Sequence, residues 1–329
     1  MPTILGKEVG SIGYGMAGLS IPPYMPPEEQ AIECLRTAAD LGCLCFNAGE
    51  FYGHPLYNSL TLLHRFWAKY PQYADRVLVN VKGAMLPTFA PSGDSAVIRK
   101  SVENCLSQLE GRGKIDMFEL ARIDVDVTLE TQLGALGQLV GEGKIGGVAL
   151  TEVNAETIRK AVKIVKIVAV EIELSLWCTD PLYNGILDTC AELEIPVMAY
   201  CPVGRGVLTG QLNSFEDIPE GDYRRMLPRY QPENLDQNRK LVEQVAKLAQ
   251  KKGCTTAQVA LGWLLGLSKQ EGRPVIIPIP GSTNVHHIRE NAATVALDEE
   301  EMNLVDAIIA ENPVAGERYH PHGMKMVNL

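Results

Sequence analysis

Two side chains in the first quarter of the chain combine into usable acid chemistry. They are Tyr52, in the run FNAGEFYG at residues 46–53, and Lys82, which closes the apolar run in VNVKG. A phenol delivers a proton to a developing alkoxide readily only if its pKa of about 10 is lowered, and a neighbouring ammonium does that by favouring phenolate. The small residues around Tyr52 leave a strand end open to a ligand while aiming the phenol at it. Alone, a Tyr beside Gly reads as a turn aromatic. Its meaning depends on whether the fold brings it to Lys82.

The elements that would position them alternate. Short β-branched runs at residues 9–13, 43–46, 76–81, 115–120, 145–150, 167–172, 196–200 and 275–279 read as strands. Helical patterns fall at 27–41, 56–69, 95–109, 129–140, 157–165, 183–193, 234–251, 256–267, 285–293 and 299–310. Eight strands separated by helices predict an α/β chain folded as a single (β/α)8 TIM barrel over residues 1–329, rather than a doubly wound sheet. An extra C-terminal helix and a tail, residues 311–329, are expected over the barrel mouth. In such a barrel the chemistry sits at the C-terminal strand ends, where residue 47 onward, Lys82, Ala121 and Tyr200 are all expected.

Composition narrows the function classes. A formal net charge of −10 and a pI near 5.2, with no concentrated basic patch, argue against broad nucleic-acid or anionic-membrane binding. No secretory signal and no membrane-length apolar run is evident. The eight cysteines form no CxxC pair and no metal-ligand spacing, so they read as reduced, mostly buried residues of a cytoplasmic protein without a metal. Residues 13–18, GYGMAG, fit GxGxxG, but Pro22, Pro23, Pro26 and Pro27 follow and no helix opens at the last glycine, so a Rossmann dinucleotide site is rejected.

FNAGEFYG, VNVKG, IDMFELARID, LTEVNAETIRKA, VMAYCPVGRGVLTG and IPIPGSTNVHHIRENAA, in that order along the whole chain, resemble the aldo-keto reductase superfamily. NAGEFYG, NSLTLLHRFWAKYP and FELARID are similar to the fungal pyridoxal reductases. The resemblance implies NADPH-dependent reduction of a small aldehyde or ketone, with pyridoxal to pyridoxine as the particular reaction, Tyr52 as acid and Lys82 as its tuner. Asn47 stands where an Asp is usual, and Ala121 where a His is usual. Asn can hydrogen-bond Lys82 but brings no negative charge, so a lower Lys82 pKa is expected. Alternation along strand four points Arg122 away from the interior, while Glu119 shares the Ala121 face, either as a polar partner or as packing.

The resemblance also assigns the cofactor. Tyr200 would stack the nicotinamide, and Thr151, Glu152 and Glu171 would meet its carboxamide. Gly204 and Arg205 would fold over the pyrophosphate, and Gly281, Ser282, Thr283 and Asn284 would open a phosphate-binding helix. Glu290 and Asn291 would hold adenine. His287 replaces the basic residue many relatives aim at a 2′-phosphate, so NADPH is expected from resemblance while the sequence does not separate it from NADH. Met16, Phe51, Met85, Ala121 and Trp177 are candidates for the wall of an aromatic substrate slot, although each reads individually as packing. His54 reads as a solvated loop residue. Two other readings stay open: an oxidoreductase of specialised metabolism on the same framework, and a cofactor-binding regulatory protein with weak turnover. Oligomeric state is not legible.

Overall fold

The structure, a computed structural model, describes residues 1–329. Eight parallel strands stand side by side in sequence order: β1 (Tyr14–Gly15), β2 (Cys45–Gly49), β3 (Leu78–Gly83), β4 (Met117–Leu120), β5 (Gly147–Thr151), β6 (Ile167–Glu173), β7 (Val197–Tyr200) and β8 (Ile276–Pro278). The Gly13 N–H donates to the Pro278 carbonyl at 2.8 Å, the Gly15 N–H to Pro280 at 3.2 Å, and a parallel bridge joins Gly15 to Gly281. First and last strands therefore meet, closing a (β/α)8 barrel.

The outer layer comprises α1 (Glu28–Asp40), α2 (Ser59–Lys69), α3 (Ser95–Leu109), α4 (Leu129–Gly141), α5 (Ala155–Ala161), α6 (Ile186–Glu192), α7 (Pro232–Lys252), α8 (Thr256–Leu267), α9 (Val285–Ala292) and α10 (Glu299–Glu311). Strand residues alternate between two faces. Phe46, Val79, Phe118, Val148, Val170 and Val197 point outward into the helix-facing core. Cys45, Leu78, Met117, Ala149, Met198 and Ile277 point inward and form an apolar floor with Ile4 and Val9. Moving two residues up the same interior faces brings Asn47, Asn80, Glu119 and Glu171, all at most 4 % exposed. The barrel is thus apolar below and polar directly above. None of its helices is long and apolar enough to cross a membrane.

Several boundaries differ from the sequence expectation. Residues 9–13 form no strand, because Gly10 at φ +76° interrupts the extended run; β1 begins only at Tyr14. A hairpin of Thr3–Ile4 with Lys7–Glu8, unsuspected from sequence, sits beneath the barrel floor. A second hairpin, Gly53–His54 with Tyr57–Asn58, takes the place of the first turn expected for α2. That helix starts where the Asn58 side chain accepts from the Leu60 and Thr61 N–H groups. Strands β2 and β3 run further than expected, so Asn47 and Lys82 lie within them.

A Cβ on Gly10 would stand 2.0 Å from the Gly42 carbonyl oxygen, in addition to the strain of positive φ. Gly10→Ala should therefore destabilise the fold by about 2–4 kcal/mol, read as a lower urea midpoint. An unchanged midpoint would show that this junction relaxes freely.

Candidate active site

The loop after β2 is tied to its surroundings at each step. The Glu50 N–H donates to the Lys82 carbonyl at 2.8 Å, and the Glu50 carboxylate accepts from Ser101 and from Asn104, the latter at 2.8 Å. Ser20 donates its hydroxyl to the Tyr52 carbonyl at 2.6 Å. Gly49 is required here, since a Cβ would lie 2.8 Å from the Tyr52 ring. The half-buried Tyr52 packs edge-on to Phe51 with centroids 5.2 Å apart, and the Lys82 Nζ lies 5.9 Å from the Tyr52 ring centroid.

Beneath that ring Lys82 meets three acceptors: Asn47 Oδ1 at 2.8 Å, Glu119 Oε1 at 3.0 Å and Glu171 Oε1 at 2.5 Å. Two amides tie these groups together. Asn47 donates to Glu171 Oε2 at 2.6 Å, and Asn80 donates to Glu119 Oε1 at 2.8 Å and Glu171 Oε2 at 3.3 Å. This corrects the expectation for Lys82. Burial does depress its ammonium, but Glu119 and Glu171 outweigh that and hold the pKa above the ordinary Lys value. The negative charge absent at residue 47 comes from strands β4 and β6. Glu119 is therefore an ion-pair partner. Glu171, expected at the carboxamide, has both oxygens engaged inside the barrel.

The phenol itself is also shifted against expectation. Burial raises the Tyr52 pKa; Lys82 pulls it down, and Glu171 and Glu119 push it back up, leaving it above the usual Tyr value.

A second charged cluster covers the ends of β5 to β7. Glu152 Oε1 accepts from Tyr200 at 2.7 Å and from Arg318 at 2.7 Å. Glu173 Oε2 accepts from Arg205 at 2.9 Å and Arg318 at 3.1 Å. Tyr319 lies 3.0 Å from the Tyr200 hydroxyl and 2.9 Å from Arg205. Burial pushes the Glu152 pKa up, but Arg318 overcomes it and holds the carboxylate below its usual range. At the chain end, the Leu329 N–H donates to the Glu152 carbonyl at 3.2 Å and its carbonyl accepts from Asn154 at 2.8 Å. Glu152 and Tyr200, assigned to the nicotinamide, are thus bound to the tail. Arg205, in a turn where Gly204, Arg205 and Gly206 all have positive φ, points at Glu173 and Tyr319 rather than along the loop.

Other expected residues divide. Thr151 is buried at the end of β5, with a hydroxyl that has no partner. Asn284 caps α9 through the His286 N–H, Ser282 accepts from Tyr14 through its carbonyl, and Thr283 does so from Gln30. Gly281 packs on β1, His287 and Asn291 are half-buried, and Glu290 accepts from Thr255 at 2.7 Å. Of the expected substrate wall, Met16 is fully buried core. Trp177 is 3 % exposed and packs edge-on against Tyr230, whereas Phe51 and Met85 are half-buried at the mouth. Ala121 is buried. Strand alternation does not govern Arg122, because β4 stops at Leu120; it sits in the field of Tyr200, Tyr319 and Glu152. His54 is exposed in its hairpin.

Sequence reasoning missed Asn80, Glu173, Arg318 and Tyr319. The first two had a signal, polar residues in VNV and VEIE at the period that turns them inward. The tail pair had none.

The structure is a (β/α)8 barrel with a phenol beside a buried ammonium at the C-terminal strand ends. The family model described as Aldo/keto reductase family matches residues 11–310, and the chain belongs to that family. It is 38 % identical over 328 residues to the probable pyridoxal reductase 2 of Schizosaccharomyces pombe, covering 97 % of each chain. It is 38 % identical over 330 residues to a putative pyridoxal reductase of Saccharomyces cerevisiae, covering 93 % of this chain and 95 % of that one. Among solved structures, the glycerol dehydrogenase of Gluconobacter oxydans shares the fold with a TM-score of 0.80 at 21 % identity, covering 95 % of this chain and 94 % of its own. A thermostable aldo-keto reductase solved with epalrestat superposes with a TM-score of 0.72 at 22 % identity, covering 93 % and 98 %.

Arg318 neutralises two buried carboxylates at once. Arg318→Ala should cost about 3–5 kcal/mol of unfolding free energy, measured by urea denaturation, because it leaves Glu152 without a direct ion-pair partner and Glu173 with Arg205 alone. A loss below about 1 kcal/mol would mean that the cluster rehydrates as the tail opens.

Proposed function

We propose that this enzyme reduces the aldehyde of pyridoxal to the alcohol of pyridoxine with NADPH. The observation that carries the reading is the Tyr52 ring set 5.9 Å from the Lys82 ammonium at the barrel mouth, in a chain 38 % identical to proteins named pyridoxal reductases. Tyr52 donates its proton to the oxygen of the reacting carbonyl as negative charge develops there. Lys82, oriented by Asn47, stabilises the phenolate left behind. A reduced nicotinamide, when bound, supplies the hydride to the carbonyl carbon.

The residues present suit that cofactor. The partnerless, buried Thr151 hydroxyl offers a hydrogen bond to a carboxamide at the end of β5. The Val285 and His287 N–H groups at the start of α9 have no intrahelical acceptor and favour a phosphate, flanked by Ser282 and Thr283. Glu290 and Asn291 stand on the same helix as adenine contacts, and His287 as a contact for a 2′-phosphate. Tyr200 serves as the aromatic beside the nicotinamide, reached when Arg318 and Tyr319 shift.

Pyridoxal itself suits a site with Ala121 in place of a donor. Its phenolic hydroxyl, ortho to the aldehyde, hydrogen-bonds the carbonyl oxygen internally and polarises it. An aldehyde of equal size lacking that hydroxyl should be reduced far less efficiently, and equal kcat/KM for the two would sink this account.

Mixing purified protein with NADPH and pyridoxal should consume the nicotinamide absorbance. Tyr52→Phe should slow that loss by about 100-fold or more, as expected for removal of a general acid. Unchanged activity in the variant would refute the acid assignment, and no turnover by the natural enzyme would remove pyridoxal as its substrate.

A further inference from the structure

We propose that Glu119 and Glu171 hold one proton between their buried carboxyl groups, forming with Lys82 a charge-neutral unit beneath Tyr52, and that this proton sets the acidity of the phenol. Its kinetic consequence rests on the reductase reading; the proton itself does not.

Hydrogen-bond supply argues for the extra proton. Lys82 spends its three N–H groups on Asn47, Glu119 and Glu171. The Asn47 and Asn80 amides go to Glu171 and Glu119. Two buried acceptors then remain with nothing to accept from: Glu119 Oε2 and Asn80 Oδ1. A carboxylate oxygen on a side chain with no exposed surface is costly to leave bare. A proton on it converts one orphan acceptor into a donor.

Charge balance argues the same way. One ammonium faces two carboxylates in a medium of low dielectric, so ionising both leaves a net negative charge below the barrel mouth. No other cation corrects this. Cys45 on β2 is neutral, its thiol pushed up by burial and then by Glu171 and Glu119. Asp116, just before β4, is paired with Lys7 at 3.0 Å, and Glu173, higher on β6, is paired with Arg205 and Arg318. Burial first, then Glu119, raises the Glu171 carboxyl to about 8 against the opposing pull of Lys82. The two carboxyls flank one ammonium, at 3.0 Å and 2.5 Å.

Tyr52 feels the difference. With both carboxylates charged they oppose Lys82 and make the phenol a weaker acid; with one neutralised, that opposition is smaller. Glu119 and Glu171 are positioning residues that act through Lys82. Reduction should therefore slow as pH rises through about 8.

The experiment compares the natural enzyme with Glu119→Gln and Glu171→Gln. Infrared spectra of the unliganded protein read the proton directly. A protonated carboxyl band is expected at neutral pH, fading as pH passes about 8 and missing from each Gln variant. Stability gives a second reading without turnover. A carboxyl whose folded pKa is raised contributes stability below its ordinary value of 4.5 and loses it on the way to about 8, so unfolding free energy should decline over that window and decline less in Glu171→Gln. In kinetics, the rate of pyridoxal reduction by the natural enzyme should drop several-fold, about 3–10, between roughly pH 7 and pH 9. The same ratio should be near unity in whichever Gln variant turns over.

Absence of the band at neutral pH, as when a water satisfies both orphans, would overturn the proposal. So would a pH drop that survives in both variants. A band that titrates as expected in a protein without pyridoxal turnover would support the shared proton and count against the reductase reading.

Discussion

A single ammonium buried inside the barrel dictates what the strands around it carry. Lys82 is 6 % exposed, on a strand whose outward neighbours Val79 and Val81 belong to the apolar core. A charge taken that far out of water needs opposite charge and a full set of acceptors. Both arrive through strand periodicity. Asn47, Asn80, Glu119 and Glu171 each lie two residues above an apolar floor residue on their own strands, so one polar layer is assembled from four strands without any loop. The Tyr52 loop then needs only to lay its ring above that layer, which the absent Cβ of Gly49 permits.

Strand β6 links this layer to the second charged cluster. Glu171 faces Lys82, and Glu173, one step higher on the same face, faces Arg205 and Arg318. The tail is therefore part of the barrel's electrostatics, although it comes last in the chain. Removing its guanidinium would strip Glu152 of its direct ion-pair partner, as removing Lys82 would strip Glu119 and Glu171. Both clusters place acids on strands or, for Glu152, one residue past a strand end, with cations above them, so carboxylates below hold in place the groups that line the mouth.

The barrel was legible because its signal is repeated. Eight apolar runs with intervening helices survive an error of several residues at one boundary, as the helix expected at residues 256–267 and found there, and the first strand expected at 9–13 and found only at Tyr14–Gly15, show from opposite directions. Tyr52 and Lys82 were legible because a phenol in a glycine-rich loop and a Lys ending an apolar strand stand out locally. What escaped was pairing. Nothing beside Glu171 in sequence says that its oxygens meet residues 82 and 47, and the resemblance pointed it at a cofactor. Arg318 and Tyr319 are ordinary tail residues until the chain end docks on Glu152 and Asn154. Arg122 lies two residues past the end of β4, where strand alternation no longer says which way it points.

Asn47 then acquires a different meaning. As a substitution for Asp it looked like a loss of charge next to Lys82. In the folded chain an aspartate there would add a third carboxylate to a layer that already holds two against one ammonium, and its oxygens could not donate to Glu171 as the Asn47 amide does at 2.6 Å. The amide is the residue this arrangement requires: its oxygen orients the Lys82 ammonium, and its nitrogen ties down the carboxyl that balances it. The charge that balances Lys82 sits on strands four and six, and Asn47 fits that arrangement rather than marking a defect in the site.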